Sequence, residues 1–477
     1  ASISVVEDTA SNVDLSSMTF ADADGDNLTV TLSVDAGTFS TPADGSGIGS
    51  GVTETLVDST TITLQGTAGD INTYLDTVSN IQYTTASDAS GIDVATLTVS
   101  ASDGTAGLAS NPTVQINAAG LADVTNVTAS TADGHYKAGE TVSVQVTFDE
   151  AVTTTTGGAT LTIDVGGAGL ALPVSAATNS TTLTFEYTVR ADDNSADLDY
   201  TSTTALALAG GTIQGTSGAA DLTLPTPSAS GSLGANKAIV IDTMAPVVTD
   251  SGISLSTGSG TNDAFKVGDT VTAYWQTSGG DGDTNITSTL GGVTVDFSAF
   301  GGANNVAATL SGTTWTATYT IMANTSTSGS NLNVSVTATD EAGNSTTAAD
   351  TSDATVDAAP PVVSAGNMSL SGATGTVGAF KIGDTVTATW DDTAAGDNND
   401  DVASASVDFT EFGGGSAVVA SNSSGTWTAT YTITNGSIDL TNRNVSVTAT
   451  DTAGNDTTTQ DDENATVDNV PPTVTAA

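Results

Sequence analysis

Residues 264–271 read AFKVGDTV, and residues 379–386 read AFKIGDTV. The two copies stand 115 residues apart, and a weaker copy, YKAGETV, lies at residues 136–142. A repeat of this length corresponds to a whole domain rather than to one turn of a solenoid. The sequence therefore predicts consecutive modules that share one architecture.

Other segments recur in step with this motif. WTATYTI occupies residues 315–321 and 427–433, and NVSVTATD occupies residues 333–340 and 444–451. Apolar residues alternate with Thr or Ser in these segments, which is typical of half-buried antiparallel strands. The Trp residues stand at two repeat-equivalent positions, so we expect them to be buried in the module cores. These pairs are Trp275/Trp390 and Trp315/Trp427.

The module boundaries follow from recurring Asp-to-Pro segments, which begin at Asp242, Asp357 and Asp468. Proline interrupts strand pairing and stiffens a linker. We therefore predict an all-β chain, a tandem array of four antiparallel β-sandwich modules. The predicted modules span residues 1–119, 120–244, 245–359 and 360–470, and residues 471–477 begin a further repeat or form a donor-strand tail.

The composition limits the function. The chain has 6 Lys+Arg against 54 Asp+Glu, a formal net charge of -48, and no Cys. Such a charge repels nucleic acid and anionic membranes and attracts cations. The absence of Cys excludes disulfides and thiolate metal sites. No stretch approaches the roughly 18 apolar residues of a membrane span, so direct membrane insertion is not expected.

Two families resemble parts of this chain. Residues 1–119 resemble the cadherin-like repeats of bacterial surface proteins in Glu7-Asp8-Thr9, in the Asp22/Asp24/Asp26 run and in Ser102-Asp103-Gly104. Residues 120–470 resemble the Ig-like modules of large bacterial adhesins. The shared motifs are Lys-x-Gly-Asp-Thr-Val, the loops at residues 338–344 and 449–455, and the Asp-x-x-Pro closings. This resemblance implies an extended stalk outside the bacterial cell, stiffened by Ca²⁺ at module junctions.

The candidate cation ligands are Asp and Asn residues in turns. In an Ig-type sandwich the B–C and F–G loops lie at the end where the chain enters, so acidic loops and linkers converge there. Six to eight such oxygens would suit Ca²⁺. We predict one site from Asp242, Asp281, Asp283, Asp340 and Asn344, and a second from Asp357, Asp397, Asp400, Asp401, Asp451 and Asn455.

In the first module the candidate ligands are Glu7, Asp22, Asp24, Asp26 and Asp103. The Asp22-x-Asp24-x-Asp26 run begins like an EF-hand loop, but Ser33 stands where the closing Glu would be. A solvated turn and a salt-adapted acidic surface stay open as alternatives for such Asp clusters. The second module lacks the Thr-Asp-x-Ala-Gly-Asn loop, which argues against a cation site at the end where the chain enters this module.

Catalysis is not expected. The single His, His135, stands in a turn without an accompanying Ser/Asp pattern, and there is no phosphate-binding glycine loop or zinc ligand set. We expect a non-enzymatic extracellular structural or adhesive protein, a stalk segment of a bacterial surface adhesin. The alternatives are a subunit of a self-assembling filament or surface layer, and a module array attached to a secreted hydrolase. The expected partners are further modules, neighbouring subunits, or a host or matrix ligand.

Overall fold

The computed structural model describes residues 2–40, 51–108, 110–167, 169–277, 286, 292–323 and 328–475. The chain forms two compact units, Ala1–Thr243 and Met244–Ala477. Strands dominate both units, which confirms the all-β prediction. Four separate clusters of buried apolar side chains lie within residues 3–118, 122–241, 248–358 and 363–467. The boundaries of the predicted modules stay a prediction.

The first module has a six-stranded sheet in the order β1-β9-β8-β3-β6-β5 and a three-stranded sheet β2-β7-β4. Alternation in LTVTLSV buries every second side chain of β3. Thr67 caps the one longer helix, α1 (Ala68–Leu75), by accepting a hydrogen bond from the Asp70 N–H. The strands are β1 (Ser2–Val6), β2 (Ser11–Asn12), β3 (Leu28–Val34), β4 (Thr38–Ser40), β5 (Thr53–Asp58), β6 (Thr61–Gly66), β7 (Gln82–Thr84), β8 (Gly91–Ser102) and β9 (Thr113–Ala119).

The second module packs the sheet β10-β12-β15, extended by β18, against the sheet β14-β13-β16, extended by β17. Its strands are β10 (Val124–Ala129), β11 (Gly134–Tyr136), β12 (Thr141–Thr154), β13 (Ala159–Asp164), β14 (Leu170–Pro173), β15 (Ala177–Thr188), β16 (Asp199–Tyr200), β17 (Leu206–Leu208), β18 (Ile213–Gln214) and β19 (Ile239–Ile241), with the short helix α2 (Leu233–Asn236).

The third module has the two-sheet order of an Ig-type sandwich. The sheet β20-β22-β26-β25 faces the sheet β24-β23-β28-β29, and β21-β30-β27 closes one side. Its strands are β20 (Ile253–Leu255), β21 (Phe265–Lys266), β22 (Thr270–Gln276), β23 (Gly292–Asp296), β24 (Val306–Ala307), β25 (Thr309–Ser311), β26 (Thr314–Thr320), β27 (Gly329–Leu332), β28 (Ser335–Thr339), β29 (Ser345–Ala349) and β30 (Ala354–Asp357).

The fourth module repeats this topology strand for strand. Its strands are β31 (Met368–Ser371), β32 (Phe380–Lys381), β33 (Thr385–Asp391), β34 (Val402–Asp408), β35 (Val418–Val419), β36 (Ser421–Ser423), β37 (Thr426–Thr432), β38 (Asp439–Arg443), β39 (Ser446–Asp451), β40 (Asp456–Gln460) and β41 (Ala465–Asp468). The loop at residues 392–401 leads into β34, and the loop at residues 452–455 follows β39. Because β34 and β39 are antiparallel neighbours with Val402 opposite Asp451, both loops lie at the same end of the module, which we call the front end.

The Trp residues are buried as predicted, at most 7% exposed. Trp275 lies directly opposite Trp315 across the β22/β26 pair, and Trp390 lies opposite Trp427 across β33/β37. The rings of Trp390 and Trp427 stack with centroids 6.4 Å apart. The WTATYT repeat therefore forms the centre of the third and fourth cores.

Candidate functional site

Three carboxylates meet at the junction between the third and fourth modules. Asp357 ends β30 of the third module, Asp401 precedes β34, and Asp451 ends β39 of the fourth module. One carboxylate oxygen from each lies within 4.8 Å of the others. We call Asp357, Asp401 and Asp451 the junction trio. The structure thus brings together the linker after β30, the B–C loop at residues 392–401 and the F–G loop that follows Asp451 at residues 452–455, as the Ig-type geometry predicts.

The junction trio concentrates negative charge. Burial raises the pKa of Asp401, and the charges of Asp357 and then Asp451 raise it further. Asp400 adds a smaller repulsion from the same loop. A divalent cation would neutralise this charge, and carboxylate oxygens are the ligands that Ca²⁺ prefers.

The F–G loop of the fourth module is held rigid by its own Asp. The Asp451 carboxylate accepts hydrogen bonds from the Gly454 N–H at 2.6 Å, the Asn455 N–H at 2.8 Å and the Asn455 Nδ2 at 2.7 Å. Asp451 is 2% exposed, and the loop sequence Asp-x-Ala-Gly-Asn provides the donors. The motif therefore holds the loop through hydrogen bonds of its own residues.

This loop also contacts the third module directly. Lys266 Nζ donates to the Gly454 carbonyl at 2.8 Å, and the Val267 N–H donates to Asn455 Oδ1 at 2.8 Å. Asn455 Nδ2 donates to the Asp357 carbonyl at 3.2 Å. We call these three hydrogen bonds the clamp. Asn455 was predicted as a cation ligand, but its amide oxygen is used by the clamp.

Asp397, which was predicted as a ligand of the second site, is not a member of the junction trio, and its role as a ligand stays a prediction. Its carboxylate accepts hydrogen bonds from Trp390 Nε1 at 2.7 Å, the Ser364 N–H at 2.8 Å and Asn367 Nδ2 at 2.7 Å. Burial alone would raise the pKa of Asp397, but these hydrogen bonds outweigh it and lower the pKa. Asp397 therefore orders the core side of its loop.

The first predicted site is described only in part. Asp281 and Asp283 lie outside the described residues. Asp340 is fully buried, and its carboxylate accepts from the Asn344 N–H at 2.8 Å and from Asn344 Nδ2 at 2.9 Å, as in the equivalent loop of the fourth module. The Asp242 N–H donates to the Tyr136 carbonyl at 3.0 Å. A cation at this site stays a prediction.

A second acidic group lies in the first module. One carboxylate oxygen from each of Asp22, Asp24 and Asp103 lies within 4.8 Å of the others. The Asp22 side chain hydrogen-bonds that of Asp24 and raises its pKa, as do the charges of Asp22 and Asp26. The Asp26 N–H donates to Asp22 Oδ2 at 2.8 Å, and the Asp26 carboxylate is outside the group.

An open cavity of about 740 Å³ adjoins this group. Both Asp22 and Asp103 line it, together with the apolar side chains of Met18, Phe20 and Leu108. The cavity therefore combines an apolar wall with two carboxylates, and sequence spacing contains no signal for it.

Glu7 lies at the opposite end of that module, away from Asp22, Asp24 and Asp103. It follows β1, whose parallel partner β9 ends at Ala119. Glu7 is 2% exposed, and its Oε1 accepts from the Leu121 N–H at 2.6 Å. Its Oε2 is buried and has no hydrogen-bond partner among the described residues.

Further carboxylates surround this end of the first module. Burial and the charge of Glu7 raise the pKa of Asp123 to about 6, with smaller contributions from Asp149, Asp221 and Asp88. The missing Thr-Asp-x-Ala-Gly-Asn loop argued against a cation site at the front end of the second module. The structure shows that other residues collect negative charge there.

Comparisons with known proteins give distant structural similarity only. Neither a protein-family profile nor a curated protein matches the chain. An ectodomain fragment of ICAM-5 is 14% identical, with 93% of this chain and 96% of that chain covered and a TM-score of 0.29. The protocadherin GammaB4 extracellular domain is 10% identical, with 98% of this chain and 65% of that chain covered and a TM-score of 0.21.

An endo-fucoidan hydrolase of glycoside hydrolase family 107 is 13% identical, with 67% of this chain and 39% of that chain covered and a TM-score of 0.15. Such low similarity supports no functional argument. Within the described part of the chain, no helix is both long and apolar enough to cross a bilayer.

Proposed function

We propose that this chain is a non-enzymatic stalk segment of an extracellular bacterial adhesin, and that Ca²⁺ stiffens its module junctions. The observation that supports this most directly is the junction trio. One carboxylate comes from the third module and two come from the fourth, with oxygens within 4.8 Å. An ion bound by all three would add a connection between two modules that are otherwise joined by a short linker and by the clamp.

The charge around Glu7 supports the same role at the junction between the first and second modules. A buried carboxylate oxygen without a hydrogen-bond partner is costly unless a proton or cation compensates it. Burial and the charge of Glu7 raise the pKa of Asp123 to about 6, so negative charge is concentrated at this junction.

The mechanism is an equilibrium between straight and bent junctions. Without a cation the clustered carboxylates repel one another and favour conformations that separate them. A cation that binds only the assembled junction favours it by about 2.7 kcal/mol when present at a hundredfold excess over its dissociation constant. The apolar clusters inside the modules contain neither Glu7 nor any residue of the junction trio, so the modules are expected to stay folded in chelator.

Small-angle scattering of the full chain with Ca²⁺ and with chelator tests this proposal. We expect a longer, stiffer particle with Ca²⁺ and calorimetric uptake of the ion. An unchanged maximum dimension and no uptake would contradict it, and would leave the Asp clusters as solvated turns. Negative-stain microscopy separates the stalk from the alternative filament or surface layer, because isolated rods support the former and polymers the latter.

A further inference from the structure

We propose that the far end of the fourth module is a preformed socket for the Asp-x-Ala-Gly-Asn loop of another Ig-like module joined behind it. This inference names a partner for the proposed stalk and rests on its modular organisation. The socket is formed by Lys381, Ile382 and Asp468 with the loop at residues 373–379.

The clamp shows what such a socket binds. In the third module the same positions are Lys266, Val267 and Asp357, and they hold Gly454 and Asn455 of the following module through three hydrogen bonds. The loop at residues 258–264 lies against the same partner, because a Cβ added at Gly260 would stand 2.7 Å from the Ala453 carbonyl oxygen. The chain therefore contains one occupied example of the contact.

The fourth module builds the equivalent surface with the same internal hydrogen bonds. Lys381 lies opposite Asp468 across parallel strands, as Lys266 lies opposite Asp357. The Lys381 N–H donates to Asp384 Oδ2 at 3.0 Å, and the corresponding bond from Lys266 to Asp269 is 3.1 Å. The geometry that presents the lysine is therefore complete without a partner.

The equivalent side chains are more exposed in the fourth module. Lys381 and Ile382 are exposed, whereas Lys266 and Val267 are half-buried under the clamp. No acceptor contacts the Lys381 ammonium among the residues that the structure describes. Val377 is fully exposed at φ 58°, a left-handed conformation that a β-branched residue adopts only under strain. The equivalent residue of the third module, Asn262, has φ 57° and is exposed beside the occupied clamp, so this position lies outside the contact itself.

The order of motifs along the sequence agrees with this pairing. The second and third modules carry the Lys-x-Gly-Asp/Glu motif, and the modules after them, the third and fourth, carry the Asp-x-Ala-Gly-Asn loop. The first module lacks the lysine motif, and the second module lacks the loop. Three of only six basic residues, Lys137, Lys266 and Lys381, stand at this one motif position. At each of the three junctions within the chain, the lysine motif and the following loop therefore occur together or not at all.

The partner module is expected on the same polypeptide. The clamp consists of three hydrogen bonds over a small surface. Stable association of separate chains buries roughly 1,000 Å² or more, so a contact of this size would not hold two separate chains together. A short linker raises the effective concentration of the loop to the millimolar range, which makes a weak contact persistent. We therefore assign the socket to a covalently joined module rather than to a separate copy.

The test uses the full chain continued from Pro472 into a second copy of residues 362–477, so that a fifth module follows in the same register. Because the chain has no Cys, spin labels can be placed at chosen sites only. Thr318→Cys with Thr430→Cys spans the third–fourth junction, and Thr430→Cys with its counterpart in the copy spans the new junction. Both Thr side chains are exposed and stand at equivalent strand positions.

We expect pulsed electron paramagnetic resonance to give equally narrow distance distributions for the two pairs. Lys381→Ala should broaden the distance distribution of the new junction only, and Lys266→Ala should broaden that of the third–fourth junction only. Asn455→Ala in the copy tests the same contact from the partner side and does not alter the socket. A broad distance distribution across the new junction in the unsubstituted chain would overturn the proposal. A distribution that neither Lys381→Ala nor the copied Asn455→Ala changes would overturn it as well.

Measurements in Ca²⁺ and in chelator separate this inference from the proposed function. The socket predicts that Lys381→Ala broadens the distribution in both conditions. Stiffening by Ca²⁺ predicts that the ion narrows both unsubstituted junctions. If the ion has no effect and the lysine effect persists, the stiffening mechanism is wrong and the socket stands. The converse result rejects the socket alone.

Discussion

Asp401→Asn is expected to change the stability of the third–fourth junction in opposite directions with and without Ca²⁺. Asp401 faces two other carboxylates of the junction trio within 4.8 Å, and burial together with their charges raises its pKa. In chelator the substitution removes two repulsions and should stabilise the junction. With Ca²⁺ present it removes a ligand and should abolish the stabilisation by the ion.

The magnitude follows from the separation. Two unit charges 4.8 Å apart repel by about 0.9 kcal/mol in bulk water and by about 3.5 kcal/mol at an effective dielectric constant of 20. Asp401 is only partly buried, so the lower value and screening by salt apply. Removal of both repulsions is expected to stabilise the junction by about 1–2 kcal/mol in chelator. In Ca²⁺ the loss should approach about 2.7 kcal/mol at a hundredfold excess over the dissociation constant.

Tryptophan fluorescence during urea unfolding measures this effect, because all four Trp residues belong to the third and fourth modules. Asp400→Asn is the matched control: it changes the same charge in the same loop, but Asp400 is exposed and outside the junction trio. Equal shifts for the two variants in chelator, with a Ca²⁺ response retained in Asp401→Asn, would refute the reasoning.

Three further predictions concern other parts of the chain. Trp275→Ala should destabilise the third module by about 3–5 kcal/mol in urea unfolding, whereas Tyr274→Ala on the outer face of the same strand should cost far less. Burial alone would raise the pKa of Asp384, but hydrogen bonds from Thr374 and Lys381 outweigh it and lower the pKa. The contribution of Asp384 to stability is therefore present above its ordinary pKa of 3.8 and is lost as pH falls through the lowered value. Asp384→Asn should destabilise the fourth module at pH 7, and the difference from the unsubstituted chain should disappear in strong acid. Asp123→Asn should raise the melting temperature in chelator, where it relieves repulsion, and should reduce Ca²⁺ uptake measured by calorimetry.

The repeated strands and the junction trio could be predicted from the sequence because they depend on periodicity and topology. Alternation of Thr with apolar residues determines which face of WTATYTI is buried, and Trp315 and Trp427 are buried accordingly. The convergence of Asp357, Asp401 and Asp451 follows from the ends at which Ig-type loops lie. Neither inference required a side-chain orientation.

Orientation within a loop could not be predicted in the same way. Asp397 and Asp401 stand four residues apart in one loop, yet Asp397 accepts from the Trp390 indole while Asp401 faces the junction. Glu7 meets Leu121 only because β1 pairs in parallel with β9, a contact over 114 residues that local pattern does not indicate. The role of Lys266 was missed because an isolated lysine is ordinarily a solvated surface residue.

Lys266 is one of only six basic residues in a chain with net charge -48, and it lies at the third–fourth junction. Lys266 donates to a backbone carbonyl, that of Gly454, and the charges that act on Asp401 there are all negative. The clamp therefore aligns the two modules without neutralising the junction trio. The clamp consists of hydrogen bonds that need no bound metal ion, whereas the proposed stiffening depends on compensation of the remaining charge. A junction of this kind is expected to keep its register in chelator while it bends more freely.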